Sequence, residues 1–204
     1  MEAGERLADA LAERALDEPV VVLAIPRGGV VVAVPVARRL GAPLDVVIPR
    51  KLGAPDNPEL AIGAVAPGVR VLDDALIERL GIGRGYLDEE VARQEAEIAR
   101  RAARYRDGKP SPDLTGTTTV VVDDGVATGA TAVAALRWAR SQHPATLVFA
   151  VPVGPSSTVR RLEEECDAVV VLETPRAFSA VGEWYRRFGQ VTDEEVLASL
   201  GGEP

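Results

Sequence analysis

The sequence predicts a doubly wound α/β domain with a mostly parallel sheet and a small C-terminal hood. Short runs of β-branched residues alternate with segments of helical periodicity, which is typical of this class. Several of these runs end in turns rich in Gly, Pro or Thr, and open parallel sheets bind ligands at such strand ends. With 204 residues, of which 47% are hydrophobic and 26% charged, the chain can bury a core without disulfides or structural metal.

The predicted strands and helices alternate along the chain. Residues 30–40 are rich in valine, but Arg38, Arg39 and Gly41 are typical of the end of a helix, and the segment lies between two strands. We therefore interpret it as a buried helix. Strands are predicted at residues 20–25, 44–48, 120–122, 146–151 and 168–172, and helices at residues 2–16, 30–40, 88–106, 132–140 and 159–165.

Two regions differ from this alternation. The pattern predicts a core over residues 1–172, in which about residues 50–118 form an inserted loop and helical segment. The start of the insert is rich in Pro and Gly, and it predicts a loop with a short strand at residues 61–66. Residues 173–204 hold half of the chain's aromatic side chains and predict the hood, a lid-like lobe.

Composition and charge exclude several classes of function. The chain has 23 Lys and Arg against 31 Asp and Glu, and this net charge of −8 argues against a broad nucleic-acid interface. Cys166 and His143 are the only residues of their types, so we expect no disulfide and no zinc site built from them. The sequence predicts neither a signal peptide nor a membrane span, and we expect a cytoplasmic protein.

The strongest functional signal is the sequence VVVDDGVATGAT at residues 120–131. A valine strand ends in two carboxylates, Asp123 and Asp124, and a turn rich in Gly and Thr then leads into a helix. Backbone N–H groups of such a turn, together with the positive end of the helix dipole, favour an anion. Because carboxylates repel phosphate, they must serve another part of the ligand, such as the vicinal hydroxyls of a ribose. A ribose that carries a 5-phosphate satisfies both halves of the motif.

These residues resemble the phosphoribosyl-diphosphate (PRPP) motif of the type I phosphoribosyltransferases. The family pattern has four apolar or small positions, two acidic residues and a phosphate loop of the form T-G-x-T/S. By this resemblance Asp123 and Asp124 hold the ribose hydroxyls. Gly125 departs from the usual aliphatic residue, and we expect only a local effect. The resemblance assigns the 5-phosphate to Val126, Ala127, Thr128, Gly129, Ala130 and Thr131.

Two further segments stand where the family has functional loops. Arg27, Gly28 and Gly29 follow the first core strand, and by resemblance they bind pyrophosphate through a guanidinium and unobstructed N–H groups. Arg50 and Lys51 follow the second core strand, where the family has a mobile loop that closes over the site. The alternatives are an ordinary turn for the first segment and a solvated strand end for the second.

The resemblance implies transfer of the 5-phosphoribosyl group from PRPP to a nitrogenous base, with release of pyrophosphate. It also implies Mg²⁺ bound to PRPP, and because this ion prefers phosphate, hydroxyl and water oxygens to a protein cage, we assign no direct protein metal ligand. More narrowly, the runs IPRGG, RKLGAPDNPELAIGAV and FSAVGEWY are similar to a little-characterised bacterial branch of predicted phosphoribosyltransferases. A PRPP-binding regulator without catalysis, or a phosphatase for another sugar phosphate, is an alternative on the same fold.

The expected partners are small-molecule substrates, with no nucleic acid and no membrane, and a homo-oligomer is left open. The predicted catalytic residues are Arg27, Arg50, Lys51, Asp123 and Asp124.

The acceptor is the least constrained part of this prediction. Phe178, Trp184 and Tyr185 of the hood could stack on a planar base, and the equal alternative is a hydrophobic anchor that holds the hood to the core. In the hypoxanthine/guanine type of the family an aspartate near the purine ring occupies the position of Ala127. Alanine cannot transfer a proton, so that subclass loses support.

Overall fold

The computed structural model describes residues 2–201. Strands and helices alternate at both ends of the chain, and a block of three consecutive strands and two helices lies between them. The strands are β1 (Val20–Ala24), β2 (Leu44–Val46), β3 (Arg50–Ala54), β4 (Asn57–Ala66), β5 (Val69–Leu72), β6 (Thr118–Val122), β7 (Thr146–Val153) and β8 (Ala168–Glu173). The helices are α1 (Glu2–Ala12), α2 (Gly28–Leu40), α3 (Asp74–Arg79), α4 (Arg84–Arg106), α5 (Ala130–Ser141), α6 (Ser156–Leu162) and α7 (Asp193–Leu200).

The core is a five-stranded parallel sheet with the order β2-β1-β6-β7-β8. After β1 the chain forms β2 on one side of β1, and it later returns to form β6 on the other side. This change of direction creates a crevice outside the carboxyl ends of β1 and β6, where doubly wound proteins bind ligands. The predicted fold class is confirmed.

Alternate side chains of the sheet pack into two hydrophobic layers. Val20, Val22 and Ala24 of β1 face the layer formed with α1 and α2. Val21 and Leu23 of the same strand face the layer formed with α5 and α6. Burial on both faces explains why the strands appear in the sequence as continuous apolar runs without alternating polar residues.

The interpretation of residues 49–68 as mostly loop is wrong, because β3 and β4 lie there and form an antiparallel sheet with β5. Gly53 and Pro58, two of the residues that suggested a loop, meet at an irregularity between β3 and β4. The register of β3 against β4 shifts at Gly53, and a Cβ on Gly53 would lie 2.8 Å from the Cα of Pro58. A β-bulge therefore accommodates the two residues that normally weaken a strand.

Two helices, α3 and α4, follow this small sheet. Asp73 caps α3, since its Oδ1 accepts a hydrogen bond from the Leu76 N–H at 3.0 Å. The next helix, α4, begins at Arg84, four residues before the predicted start at Asp88. Among the described residues, no helix is both long enough and apolar enough to cross a lipid bilayer.

The tail contains a helix that the hydrophobic pattern did not predict. This helix, α7, begins with a capping box in which Thr192 and Glu195 exchange hydrogen bonds between side chain and backbone. The T-x-x-E spacing is readable from the sequence as a helix start. Only Val196 of the helix is fully buried, so its apolar periodicity is weak.

Candidate active site

Two loops predicted to be functional meet at the crevice between β1 and β6. The Arg27-Gly28-Gly29 turn follows β1, and the acidic pair follows β6 on the adjacent strand. A side chain at Gly28 would overlap the Asp124 carboxylate, and a Cβ on Gly29 would lie 2.9 Å from the Cα of Asp123. Glycine is required at both positions because the backbone of one loop lies directly against the carboxylates of the other.

The acidic pair lies in an environment that opposes its charge. Burial raises the pKa of Asp123 well above its ordinary value, and the neighbouring Asp124 carboxylate raises it further. Burial also raises the pKa of Asp124. The Asp123 Oδ1 accepts a hydrogen bond from the Asp124 N–H at 2.8 Å. A ligand that donates hydroxyl protons or carries a cation would therefore stabilise the ionised pair.

The loop from Val126 to Thr131 presents free backbone donors. Gly129 adopts a left-handed conformation with φ of +80° and ends the loop where α5 begins. No backbone N–H between residues 127 and 131 donates to another group in the part of the chain that the structure describes. The side chains of Ala127 and Thr128 are exposed. The arrangement fits an anion such as a phosphate.

Two side chains of α6 donate hydrogen bonds to backbone carbonyl groups of this loop. Thr158 Oγ1 donates to the Ala127 carbonyl at 2.7 Å, and Arg161 Nη2 donates to the Thr128 carbonyl. The Val126 N–H donates to the Val153 carbonyl at the end of β7. Thr158 and Arg161 lie about 30 residues from the motif they support, so no local pattern in the sequence indicates this role.

Arg27 stands at the start of α2, half-exposed beside the two glycines. Its Nη1 lies 3.9 Å from the Oδ1 of Asp193 at the start of α7. The C-terminal helix therefore reaches the same loop that the sequence predicts to bind pyrophosphate. No local pattern indicates this contact, because 166 positions separate the two residues.

Arg50 and Lys51 are adjacent on β3 and make different contacts. Arg50 Nε donates to Gln94 Oε1 of α4 at 2.9 Å, and burial lowers the pKa of this arginine. Lys51 Nζ pairs with Glu59 at 3.0 Å and lines a cavity of about 710 Å³ together with Thr128. Arg50 does not line this cavity.

The tail packs directly on the acidic loop. Tyr185 Oη donates to the Asp124 carbonyl, and the Tyr185 ring lies 5.3 Å from that of Phe188. A Cβ on Gly125 would lie 2.6 Å from Val181, so the glycine that departs from the family pattern leaves room for the tail. The departure at Gly125 was predicted to have only a local effect, but it concerns the contact with Val181, which lies 56 positions away.

The three hood aromatics predicted to bind an acceptor are in different environments. Tyr185 is half-buried, and its hydroxyl is engaged by the Asp124 carbonyl. Trp184 is 45% exposed, while Phe178 is half-buried. Trp184 is therefore the aromatic side chain of the three that is most accessible to a planar ligand.

Magnesium is the cofactor that the family resemblance implies, and the carboxylates of the acidic pair are hard oxygen donors of the kind this ion prefers. Within residues 2–201 no group of three or more His, Cys, Asp or Glu side chains is arranged to hold a metal ion. Two carboxylates at the crevice fit an ion whose remaining ligands come from substrate oxygens and water. They do not form a complete protein cage.

The family model described as phosphoribosyl transferase domain matches residues 1–185. The chain belongs to this family. The match includes the glycine loop, the acidic pair and the phosphate loop, as well as the tail as far as Tyr185. The resemblance stated from the motifs is confirmed.

Relatives and solved structures agree with this assignment. The Mycobacterium tuberculosis H37Rv protein named "Putative phosphoribosyl transferase Rv0571c" is 48% identical over 200 residues, which are 98% of this chain and 45% of that protein. The chain thus spans less than half the length of this relative. The crystal structure of TT1426 from Thermus thermophilus has 49% identity and a TM-score of 0.80, over 97% of this chain and 94% of that one. The AQ2163 protein from Aquifex aeolicus, at 16% identity and a TM-score of 0.50 over 83% and 70% of the two chains, shares the fold.

Proposed function

We propose that this protein transfers the 5-phosphoribosyl group from PRPP to a nitrogenous base or related nucleophile. The observation that carries the proposal is the contact of Gly28 and Gly29 with the two aspartates at the crevice of the sheet. This contact joins a loop with a guanidinium, a pair of carboxylates and a loop of free N–H groups in one place. PRPP carries a diphosphate, two ribose hydroxyls and a 5-phosphate, which match these three features.

The carboxylates and the phosphate loop would hold the two ends of the ribose. Asp123 and Asp124 accept hydrogen bonds from the ribose hydroxyls, and this interaction favours their ionised form against burial. The free N–H groups of residues 127–131 donate to the 5-phosphate. Fixing both ends orients the ribose carbon that reacts and lowers the entropic part of the barrier.

The leaving group would lie over Arg27 and the adjacent glycines. In the reaction the bond between the ribose carbon and the diphosphate oxygen breaks, a bond from the acceptor nitrogen forms, and the electron pair leaves with pyrophosphate. Negative charge grows on the diphosphate, so a guanidinium placed there binds the transition state better than the ground state. Bound Mg²⁺ would neutralise part of the diphosphate charge.

The acceptor would enter beside the tail. Trp184 offers an exposed ring for stacking, and Phe178 is half-buried nearby in sequence. Ala127 carries no group that exchanges a proton with a purine ring. A base that needs no proton transfer from this position therefore fits the site better than hypoxanthine or guanine.

The first experiment measures Mg²⁺–PRPP binding by titration calorimetry. Asp123→Asn combined with Asp124→Asn should weaken binding strongly, since each lost charge-assisted hydrogen bond costs about 1.5–3 kcal/mol. The matched control is Glu163→Gln combined with Glu164→Gln, an adjacent and exposed acidic pair that directly follows α6. Unchanged affinity in the aspartate variant would contradict the assignment.

The second experiment measures turnover with PRPP and a panel of bases. Release of pyrophosphate that depends on a base supports the transferase. If PRPP binds but no pyrophosphate is released with any of the bases, the result supports a PRPP-binding regulator without catalysis instead. Release of inorganic phosphate without a base would indicate a phosphatase.

A further inference from the structure

A carboxylate of the C-terminal helix lies beside the arginine of the glycine loop. Asp193 Oδ1 is 3.9 Å from Arg27 Nη1, and Asp193 is the first residue of α7. The side chain of Asp193 is 15% exposed, so the pair is partly shielded from water. A negative charge in this position opposes the binding of any anion at Arg27.

Asp193 itself is firmly held by the end of α4. Tyr105 Oη donates to its Oδ1 at 2.6 Å, and Arg104 Nη1 donates to its Oδ2 at 3.0 Å. The Tyr105 hydrogen bond is the main reason that the pKa of Asp193 is lowered. Both carboxylate oxygens are thus engaged by groups on a long helix, and the carboxylate remains charged and in place.

Arg27 is held much more loosely. Its side chain is 38% exposed, and the 3.9 Å contact with Asp193 is the ion pair that its guanidinium makes among the described residues. A diphosphate can accept two parallel N–H bonds from a guanidinium at about 2.7–2.9 Å. An exchange of partners therefore needs a movement of Arg27 only.

We propose that Asp193 is a resident counter-charge that holds Arg27 while the site is empty and releases it to the diphosphate of an incoming ligand. The inference rests on the proposed function, because it takes the anion at Arg27 to be a diphosphate. It places a positioning residue for Arg27 on the C-terminal helix. It also explains why α7 is tied to α4 by ion pairs at the point where it reaches the loop.

Titration calorimetry with Mg²⁺–pyrophosphate tests the proposal without knowledge of the acceptor. Asp193→Asn keeps an oxygen that accepts from Tyr105 but removes the charge that competes with the ligand. We expect pyrophosphate to bind about two- to fivefold more tightly, the range of a partly exposed ion pair. The matched control is Glu194→Gln, which removes the next charge along the chain, one that pairs with Arg104 and is 73% exposed. The control should leave the affinity unchanged.

A double-mutant cycle separates action through Arg27 from general repulsion. In an Arg27→Ala background, Asp193→Asn should no longer tighten pyrophosphate binding to the same degree. An equal gain in both backgrounds would show that Asp193 acts only through its charge and would overturn the proposal. Weaker or unchanged binding in the single Asp193→Asn variant would overturn it as well.

Tyr105→Phe gives a second variant that leaves α7 intact. It removes the donor to Asp193 Oδ1, so the carboxylate attracts Arg27 more strongly and pyrophosphate should bind about twofold more weakly. Equal or tighter binding in this variant would contradict the proposal even if Asp193→Asn failed to fold. If the unaltered protein binds neither PRPP nor pyrophosphate, the proposed function itself fails. Binding without the Asp193 effect refutes only the counter-charge.

Discussion

Among the single residues of the candidate site, Asp123 is a carboxylate whose burial is unfavourable for folding when it is charged. Burial raises its pKa, so the folded chain holds the proton more tightly than the unfolded chain does. The Asp123 carboxyl therefore favours folding at low pH. This contribution to stability is lost as the pH rises from the ordinary aspartate pKa of the unfolded chain through the raised pKa of the folded chain. At neutral pH the unfolded chain ionises this carboxylate freely, so burying it costs stability, which a bound ligand can return.

Asp123→Asn should raise the Tm near pH 7, because it removes a buried charge while keeping the side chain's shape. Each 1 kcal/mol gained corresponds to about 2–4 °C for a chain of this length. The difference in Tm from the unaltered protein should shrink as the pH is lowered toward the ordinary aspartate pKa of about 4, where Asp123 is protonated. Asp56→Asn, at the exposed turn between β3 and β4, is the control and should show no such gain. A lower Tm for Asp123→Asn at neutral pH would contradict the interpretation.

Arg27→Ala should lower kcat about 10²–10³-fold, the usual loss when one group that stabilises transition-state charge is removed. The affinity for ribose 5-phosphate should stay close to normal, because that ligand lacks a diphosphate. Arg160→Ala removes an exposed arginine of α6 and serves as the control. Near-normal turnover in Arg27→Ala would make Arg27 a turn residue, and Lys51 or magnesium would then stabilise the leaving group.

Among the helices and strands, α6 is a support for the phosphate loop. It contributes no residue to the predicted motif, yet two of its side chains hold consecutive carbonyls of the loop. Since those carbonyls are engaged on one side, the loop backbone is restrained and its N–H groups remain available to a ligand. Preorganised donors need no rearrangement when an anion binds.

Thr158→Ala should therefore weaken the binding of ribose 5-phosphate as well as the fold. The lost hydrogen bond is worth about 0.5–1.5 kcal/mol, which corresponds to a loss of affinity of about two- to tenfold if it acts entirely on the loop. Ser157→Ala, one residue away and exposed, should change neither property. A drop in Tm with unchanged affinity would mean that α6 supports only the fold.

The tail offers two aromatic side chains with separable roles. Tyr185→Phe removes the hydrogen bond to the Asp124 carbonyl and should lower stability by about 0.5–1.5 kcal/mol. Trp184→Ala removes an exposed ring, so the Tm should hardly change while the acceptor KM rises more than the KM for PRPP. A large loss of Tm in Trp184→Ala with an unchanged ratio of the two KM values would favour the hydrophobic anchor.

In the molecule as a whole, the small antiparallel sheet packs against the parallel core, and α5 contacts both. Helix α5 packs on the parallel sheet with one face, and it also contacts β4 and β5. Lys51 of the small sheet and Thr128 of the phosphate loop both line the cavity between this sheet and α5. Closure of the small sheet over the crevice would narrow that cavity and exclude water.

Hydrogen exchange with and without Mg²⁺–PRPP measures this closure. The amides of residues 127–131, which have no acceptor in the described part of the chain, should gain protection on binding. If the small sheet closes, β3 and the first half of β4 should gain protection too. The amides of β7, buried at the centre of the core, are the internal control and should not change. Protection confined to residues 127–131 would contradict a closing movement.

The amino-acid pattern was sufficient to predict the parallel core and the two motifs that meet at its crevice. Runs such as Val120 to Val122 are buried on both faces, and this type of burial leaves a continuous apolar pattern. Ligands bind at the carboxyl ends of the strands in a doubly wound sheet, and the sequence places Arg27 and the acidic pair directly after two such strands. Both motifs could be recognised from the sequence because each consists of residues that are contiguous in the chain.

The distant residues that complete the site became visible only in the folded chain. Asp193 beside Arg27, Thr158 behind Ala127 and the tail on Gly125 are contacts between segments far apart in the chain. The same is true of the small sheet, whose Gly and Pro residues suggest a loop until their cross-strand bulge is seen. Local propensity and periodicity report only neighbours within a few positions, whereas these contacts arise from packing of the finished fold.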